Sequence, residues 1–185
     1  MGSTITKLSQ QFCVKIQYFK VLILGLEGAG KTTVFDRIRS NDLNYTSPTI
    51  GFNVEQVKLE NFVLNLWDFG GHEKIMCLWE RYFDNVDLII LVLDSTDNQN
   101  VDKVKEMFNI IKNKSKDTYV LILGNKIDLK DQSMSTDEMA KLFDIYEYDL
   151  KIVNFIPCSA VTSKGMSDMK KSIVTAIRNL NKNNI

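Results

Sequence analysis

Gly25-Leu26-Glu27-Gly28-Ala29-Gly30-Lys31-Thr32 decides how the chain folds. It follows Phe19-Lys20-Val21-Leu22-Ile23-Leu24, an apolar run of strand length, and opens the helix-compatible stretch Thr33-Val34-Phe35-Asp36-Arg37-Ile38-Arg39. A strand, then G-x-x-x-x-G-K-T, then a helix is the context in which this pattern becomes a phosphate-binding loop. Glycine lets the backbone take positive φ and bring successive N–H groups onto phosphate oxygens, at a helix N-terminus whose dipole favours anions. Lys31 would reach the outer two phosphates, and the Thr32 hydroxyl would ligate Mg²⁺.

Around this loop, strand-like runs at 19–24, 52–59, 62–67, 88–93, 119–123 and 152–156 alternate with helical patterns at about 31–39, 73–83, 101–113, 136–146 and 166–180. Val101, Val104, Phe108 and Ile111 make the apolar stripe of one helix, and Met166, Met169, Ile173 and Ile177 that of the last. The run Asp87-Leu88-Ile89-Ile90-Leu91-Val92-Leu93 is apolar without alternation, as a strand covered on both faces should be. One strand–helix unit, two consecutive strands, then repeated helix–strand units predict an α/β fold of the P-loop NTPase kind. Its six-stranded sheet is mostly parallel, with one antiparallel edge strand and helices on both faces. Ligands of such sheets sit beyond the carboxyl ends of the strands, where all the chemical motifs of this chain fall.

The strand Tyr119-Val120-Leu121-Ile122-Leu123 runs into Gly124-Asn125-Lys126-Ile127-Asp128. The Asp128 carboxylate can accept two parallel hydrogen bonds from the ring N–H and exocyclic amine of guanine, while adenine would leave a desolvated charge unpaired. Asn125 would tie this loop to the phosphate loop, and the Lys126 stem would lie along base and ribose. Ser159-Ala160, at the end of a later strand, can place the Ala160 backbone N–H on the guanine carbonyl oxygen. The expected nucleotide-binding set is Glu27, Gly28, Ala29, Gly30, Lys31, Thr32, Thr33, Thr49, Gly71, Asn125, Lys126, Asp128, Ser159 and Ala160. Two segments are suited to sense a third phosphate. In Ser47-Pro48-Thr49-Ile50-Gly51-Phe52-Asn53-Val54-Glu55, Thr49 offers a hydroxyl to Mg²⁺ and an N–H to the γ-phosphate. In Leu66-Trp67-Asp68-Phe69-Gly70-Gly71-His72-Glu73, Asp68 would hold Mg²⁺ through water, and the Gly71 N–H would touch the γ-phosphate. Such contacts last only while the third phosphate is present, which makes both loops an order–disorder switch.

The 185 residues suit one domain, with residues 1–18 as a leader and 19–185 as the nucleotide-binding domain. Lys+Arg and Asp+Glu both number 23, so no basic field argues for nucleic acid. Cys13, Cys77 and Cys158 are too few and too scattered for a disulfide framework or a zinc cluster, and a reducing, cytoplasmic setting fits them. Met1-Gly2-Ser3-Thr4-Ile5-Thr6 matches the pattern for myristoylation of Gly2. Ile5, Leu8 and Phe12 then recur on one side of a short amphipathic helix. One acyl chain binds a bilayer only marginally, so a second weak apolar signal would make attachment stable yet reversible.

GLEGAGKTT, PTIGFNVE, WDFGGHEKI, NKID and SA, in this order and at these spacings, resemble the small GTPases of the ADP-ribosylation factor (Arf) family across essentially the whole chain. The resemblance implies a Ras-like G domain and a guanine-nucleotide switch, soluble with GDP and membrane-bound with GTP. Such a switch recruits coats or other effectors in vesicle traffic at the Golgi or other endomembranes and hydrolyses GTP slowly. It implies an exchange factor, a GTPase-activating protein and a monomeric chain. It also implies that residues 52–67 slide in register on GTP binding and expel the N-terminal helix towards the bilayer. Phe52, Trp67 and Tyr82 match the family's aromatic effector-binding triad. His72 and Lys31 are the expected catalytic groups, and His72 is also the main departure. Most relatives carry there the glutamine that orients the attacking water, whereas the coat-recruiting secretory branch and the translational GTPases use histidine. An imidazole can hold a water by one nitrogen, and in its protonated form counter phosphate charge. Glu27 stands for the usual aspartate, Met76-Cys77 for an Arg-Pro pair, and Ile127 and Ser159 lie closer to the wider GTPase pattern. Three other readings stay open: a GTP-dependent membrane-recruitment module with negligible hydrolysis, a secretory-branch coat GTPase using His72, and a P-loop kinase or ATPase, against which Asn125-Lys126-Ile127-Asp128 argues.

Overall fold

A computed structural model describes residues 16–40, 49, 51–115 and 117–183. Residues 1–15 of the expected leader, Gly2 and Cys13 among them, and the Cys77 side chain lie outside the described residues, while Gln17 and Tyr18, counted with the leader, already belong to the first strand. Strands β1 (Gln17–Leu24), β2 (Phe52–Leu59), β3 (Phe62–Phe69), β4 (Leu88–Asp94), β5 (Tyr119–Asn125) and β6 (Lys151–Pro157) alternate with helices α1 (Lys31–Arg39), α2 (Glu73–Trp79), α3 (Val101–Lys114), α4 (Thr136–Leu142) and α5 (Met166–Asn183). They form one sheet in the order β2-β3-β1-β4-β5-β6. Among the described strands only β2 runs antiparallel, opposing β3 from Phe52↔Phe69 to Leu59↔Phe62, so the antiparallel strand stands at an edge as expected. Sheet strands with period-two side chains feed two cores. Val21, Ile23, Leu88, Ile90 and Val92 face α1 and α5, while Leu22, Leu24, Ile89, Leu91 and Leu93 face α3, Trp79 of α2 and Met139 of α4. Both faces of β4 are thereby covered, which explains its unbroken apolar run.

Two helices stop earlier than their apolar pattern predicts. The 73–83 pattern is α-helical only to Trp79 and tightens into a 3₁₀ turn over Glu80–Tyr82. Lys20 Nζ donates to the carbonyl of Tyr82, which ends that turn, at 2.7 Å and to the carbonyl of Asp84 just beyond it at 2.9 Å. The 136–146 pattern starts at a Ser135–Glu138 capping box and ends at Leu142, where Asp144 turns left-handed at φ 52° into a second 3₁₀ turn, Ile145–Tyr148. Among the described residues no helix is long and apolar enough to cross a membrane.

Candidate functional site

The carboxyl ends of β1, β3, β5 and β6 open onto one cleft of about 380 Å³. The loop after β1 forms its floor. Gly30 takes φ 92° immediately before α1, and a Cβ there would lie 2.3 Å from Asn125 Nδ2, so only glycine fits both the turn and the approach. The base and phosphate loops are thus in contact. Asn125 Nδ2 donates to the Ala29 carbonyl at 2.9 Å, the tie expected of this asparagine.

Lys31 is buried, and its Nζ donates to the Leu26 carbonyl at 2.8 Å. Burial lowers its pKa to about 8, against the pull of Asp68 and Glu27. Beside it, three oxygens from three segments converge. Thr32 Oγ1 donates to Asp68 Oδ2 at 2.8 Å, Thr49 Oγ1 lies 3.0 Å from Thr32 Oγ1, and Thr49 Oγ1 lies 3.4 Å from Asp68 Oδ2. Burial raises the pKa of the Asp68 carboxyl, against the Thr32 hydrogen bond and the Lys31 charge. Its Oδ1 is buried without a hydrogen-bond partner among the described residues. Two hydroxyls and a carboxylate with an unused lone-pair set are hard oxygen donors, the chemistry that suits Mg²⁺.

The second segment expected to sense phosphate, around Gly71, closes on the loop after β1. The Gly71 carbonyl accepts from Glu27 N–H at 3.2 Å, and Gly70 N–H donates to the Gly51 carbonyl at 2.9 Å. His72 is exposed and lines the cleft beside Gly71 and Thr49.

At the other end of the cleft stand Lys126, Asp128, Leu129, Ala160 and Val161. Lys126 takes φ 71°, and its Nζ reaches Asp94 Oδ2 at 2.6 Å, which anchors the head while the stem faces the cleft. The Ala160 N–H, expected to face a base, donates to Asn125 Oδ1 at 3.0 Å. Ala29 and Ser159 do not line the cleft. Both are buried; Ala29 contributes its carbonyl to Asn125, and Ser159 Oγ accepts from Thr162 N–H at 3.1 Å, shaping the loop from behind. Sequence motifs did not mark Asp94, Leu129, Val161 or Arg37 as part of this end. The strand-terminal position of Asp94 was the one available signal.

On the flank, Phe52, Trp67 and Tyr82 meet with ring centroids 5.3–5.6 Å apart, and Phe69 packs beneath them at 5.0 Å from Tyr82. Lys20 Nζ lies 5.5 Å from the Trp67 ring centre.

A glycine-rich loop tied through Asn125 to the loop after β5, with the Thr32, Thr49 and Asp68 oxygens clustered beside it, has the form of a P-loop nucleotide site of the small GTPase class. The model of the ADP-ribosylation factor family matches residues 4–177. Similar curated proteins of Dictyostelium discoideum include ADP-ribosylation factor F, 39% identical over 151 residues (80% of this chain, 79% of that one), and ADP-ribosylation factor J, 35% identical over 162 residues (86% of each). ADP-ribosylation factor-like protein 2 of the same organism is 32% identical over 168 residues, 90% of this chain and 89% of that one. The chain belongs to the ADP-ribosylation factor family and is a GTPase that binds guanine nucleotide. The Arl6 (BBS3) small GTPase of Trypanosoma brucei, solved with the nucleotide analogue GppNp, shares the fold with a TM-score of 0.78 at 24% identity, covering 88% of this chain and 99% of that one.

Proposed function

We propose that the chain is a membrane-cycling switch, soluble with GDP and attached to endomembranes with GTP, that recruits coat or other effector proteins and hydrolyses GTP slowly until an activating protein assists. The observation that carries this reading is the junction of Thr32, Thr49 and Asp68, where residues from the phosphate loop and from both sensing segments share one oxygen cluster. Anything that occupies or leaves that cluster acts on both segments at once.

In this reading Lys31 and the amides from Glu27 to Thr33 bind the phosphates. Thr32 and Thr49 would hold Mg²⁺ directly and Asp68 through water. When bound, the ion supplies positive charge that offsets the charge building on the phosphates as the terminal group departs. The Thr49 and Gly71 N–H groups contact the γ-phosphate, and His72 orients the water whose oxygen bonds to the terminal phosphorus as the bond to the leaving GDP oxygen breaks. Asp128 reads the guanine ring N–H and amine. The Ala160 N–H, held on Asn125 Oδ1, is shared with the guanine carbonyl oxygen. A partner supplies the arginine that further stabilises the transferring group. The aromatic face of Phe52, Trp67 and Tyr82 docks effectors in the GTP state, and a myristoylated Gly2 with the amphipathic leader provides the membrane contact.

Vesicle sedimentation of the acylated full chain tests the cycle. Loaded with a non-hydrolysable GTP analogue it should pellet with vesicles, and loaded with GDP it should stay in the supernatant. Equal partition of the two forms would refute the switch, and a Gly2→Ala chain that still pellets would remove the acyl anchor. Single-turnover GTP cleavage with and without an activating protein reads His72. If cleavage is undetectable in both conditions and His72→Gln restores it, histidine does not orient the water.

A further inference from the structure

Arg37 lies on α1, six residues beyond Lys31 and so about 9 Å further along the same helix. It is only 9% exposed. Its Nε donates to the Ala160 carbonyl at 2.7 Å and its Nη2 to the Val161 carbonyl at 2.8 Å. A planar guanidinium can grip two acceptors at once, where an ammonium is a point donor without a fixed fork. Ala160 and Val161 line the base end of the cleft. The Ala160 residue is held on both of its peptide groups: its N–H rests on Asn125 Oδ1 at 3.0 Å, and its carbonyl rests on Arg37. Asn125 in turn holds the Ala29 carbonyl of the phosphate loop. The helix that begins at the phosphates therefore also fixes the backbone at the far end of the nucleotide.

The geometry points to Arg37 as the positioning residue for base selection: by clamping the Ala160 and Val161 carbonyls it sets where the Ala160 N–H stands, and hence how well the site reads an oxygen at the 6-position of the purine. The inference rests on the guanine-reading assignment of Asp128 and Ala160 proposed above. Arg37 does not itself line the cleft. Its effect passes through two main-chain carbonyls, so it alters discrimination at one edge of the base and leaves the Asp128 edge alone. Removing the fork frees both carbonyls and lets the loop drift from the base by fractions of an ångström, enough to weaken a hydrogen bond whose strength depends on distance and angle.

The test uses the full chain with Mg²⁺ and three diphosphates. GDP is the reference, 6-thio-GDP replaces the 6-oxygen by a poorer acceptor while keeping ring N–H and amine, and IDP lacks the amine that Asp128 reads. Wild type should prefer GDP over both. In Arg37→Met, GDP should dissociate about tenfold faster or more. The preference for GDP over 6-thio-GDP should collapse towards unity, while the preference over IDP persists. Arg37→Lys, with one donor point, should fall between. If Arg37→Met fails to unfold cooperatively on heating, Arg37→Lys and Arg37→Gln carry the same comparison. A folded variant that keeps the wild-type preference for oxygen over sulfur overturns the inference. So does equal weakening of all three ligands, because a residue that only supports the fold would act without regard to the base. A wild-type chain that prefers GDP over neither analogue would instead overturn the guanine-reading assignment on which the inference stands.

Discussion

Replacing Lys31 by methionine should make the nucleotide-free protein more stable at neutral pH while destroying its grip on phosphates. Lys31 is 6% exposed, and burial lowers the pKa of its ammonium from 10.5 to about 8. Below about pH 8 folded and unfolded chains both carry the proton, and the cost of burying the charge is present in full. Between about 8 and 10.5 the unfolded chain holds a proton that the folded chain has released, so wild-type stability rises with pH across that window. The gap between 10.5 and about 8, at about 1.36 kcal/mol per unit, corresponds to about 3 kcal/mol. Methionine removes that cost but also the bond to the Leu26 carbonyl, worth about 1 kcal/mol, for a net gain of about 2 kcal/mol at pH 7. The gain should vanish and then reverse as pH approaches about 10. Urea unfolding of both nucleotide-free proteins at pH 7 and pH 9.5 measures it. Nucleotide phosphates favour the ammonium, so GDP binding above pH 8 should take up a proton and weaken as pH climbs. Calorimetry in two buffers of different ionisation heat detects the proton. A Lys31→Met chain less stable than wild type at pH 7, or a stability gap that does not change with pH, would refute the reasoning.

A methyl at Gly71 would stand 2.3 Å from Glu27 N and from Leu26 C, and 2.5 Å from Gly25 O, all main-chain atoms that cannot turn aside. Gly71→Ala should therefore force the second sensing segment off the phosphate loop at about 1–3 kcal/mol. Affinity for a non-hydrolysable GTP analogue should fall by about tenfold relative to GDP, and an equal loss for both nucleotides would count against the closure. The Cys158 thiol is fully buried and its pKa is pushed up to about 12, so the folded chain at pH 8 should resist iodoacetamide at this residue, as mass spectrometry would show. Lys20 donates to the Tyr82 and Asp84 carbonyls and lies by the Trp67 ring. Lys20→Met should speed amide hydrogen exchange over residues 80–87 by about fivefold or more, from the loss of hydrogen bonds worth about 1 kcal/mol or more, with GDP affinity unchanged. Unaltered exchange there would deny Lys20 its hold on the aromatic face.

Local physics is what made this chain legible. An apolar run of strand length, a glycine-rich turn and a helix-compatible stretch each depend on neighbours a few residues away. So the six strands, the phosphate loop, the single antiparallel edge and the covered central strand could all be read from order and periodicity. The same holds for Asn125 and Asp128, whose placement at a strand end is a local fact. What the tertiary structure decided depends on residues far apart in the chain. Thr32, Thr49 and Asp68 share one cluster because β1 and β3 lie side by side, an adjacency seen in their pairing from Gln17↔Phe62 to Ile23↔Asp68. The Ala160 N–H rests on Asn125 and its carbonyl on Arg37, 35 and 123 residues away, so no pattern around Ala160 announces either bond. Beyond the end of α2 the carbonyls of Tyr82 and Asp84 are taken by Lys20, 62 and 64 residues earlier, and an apolar stripe that continued past Trp79 could not foretell that. Periodicity records which side of an element is dry. Which distant polar atom meets a given backbone group is settled only when the packed sheet brings them within hydrogen-bond range.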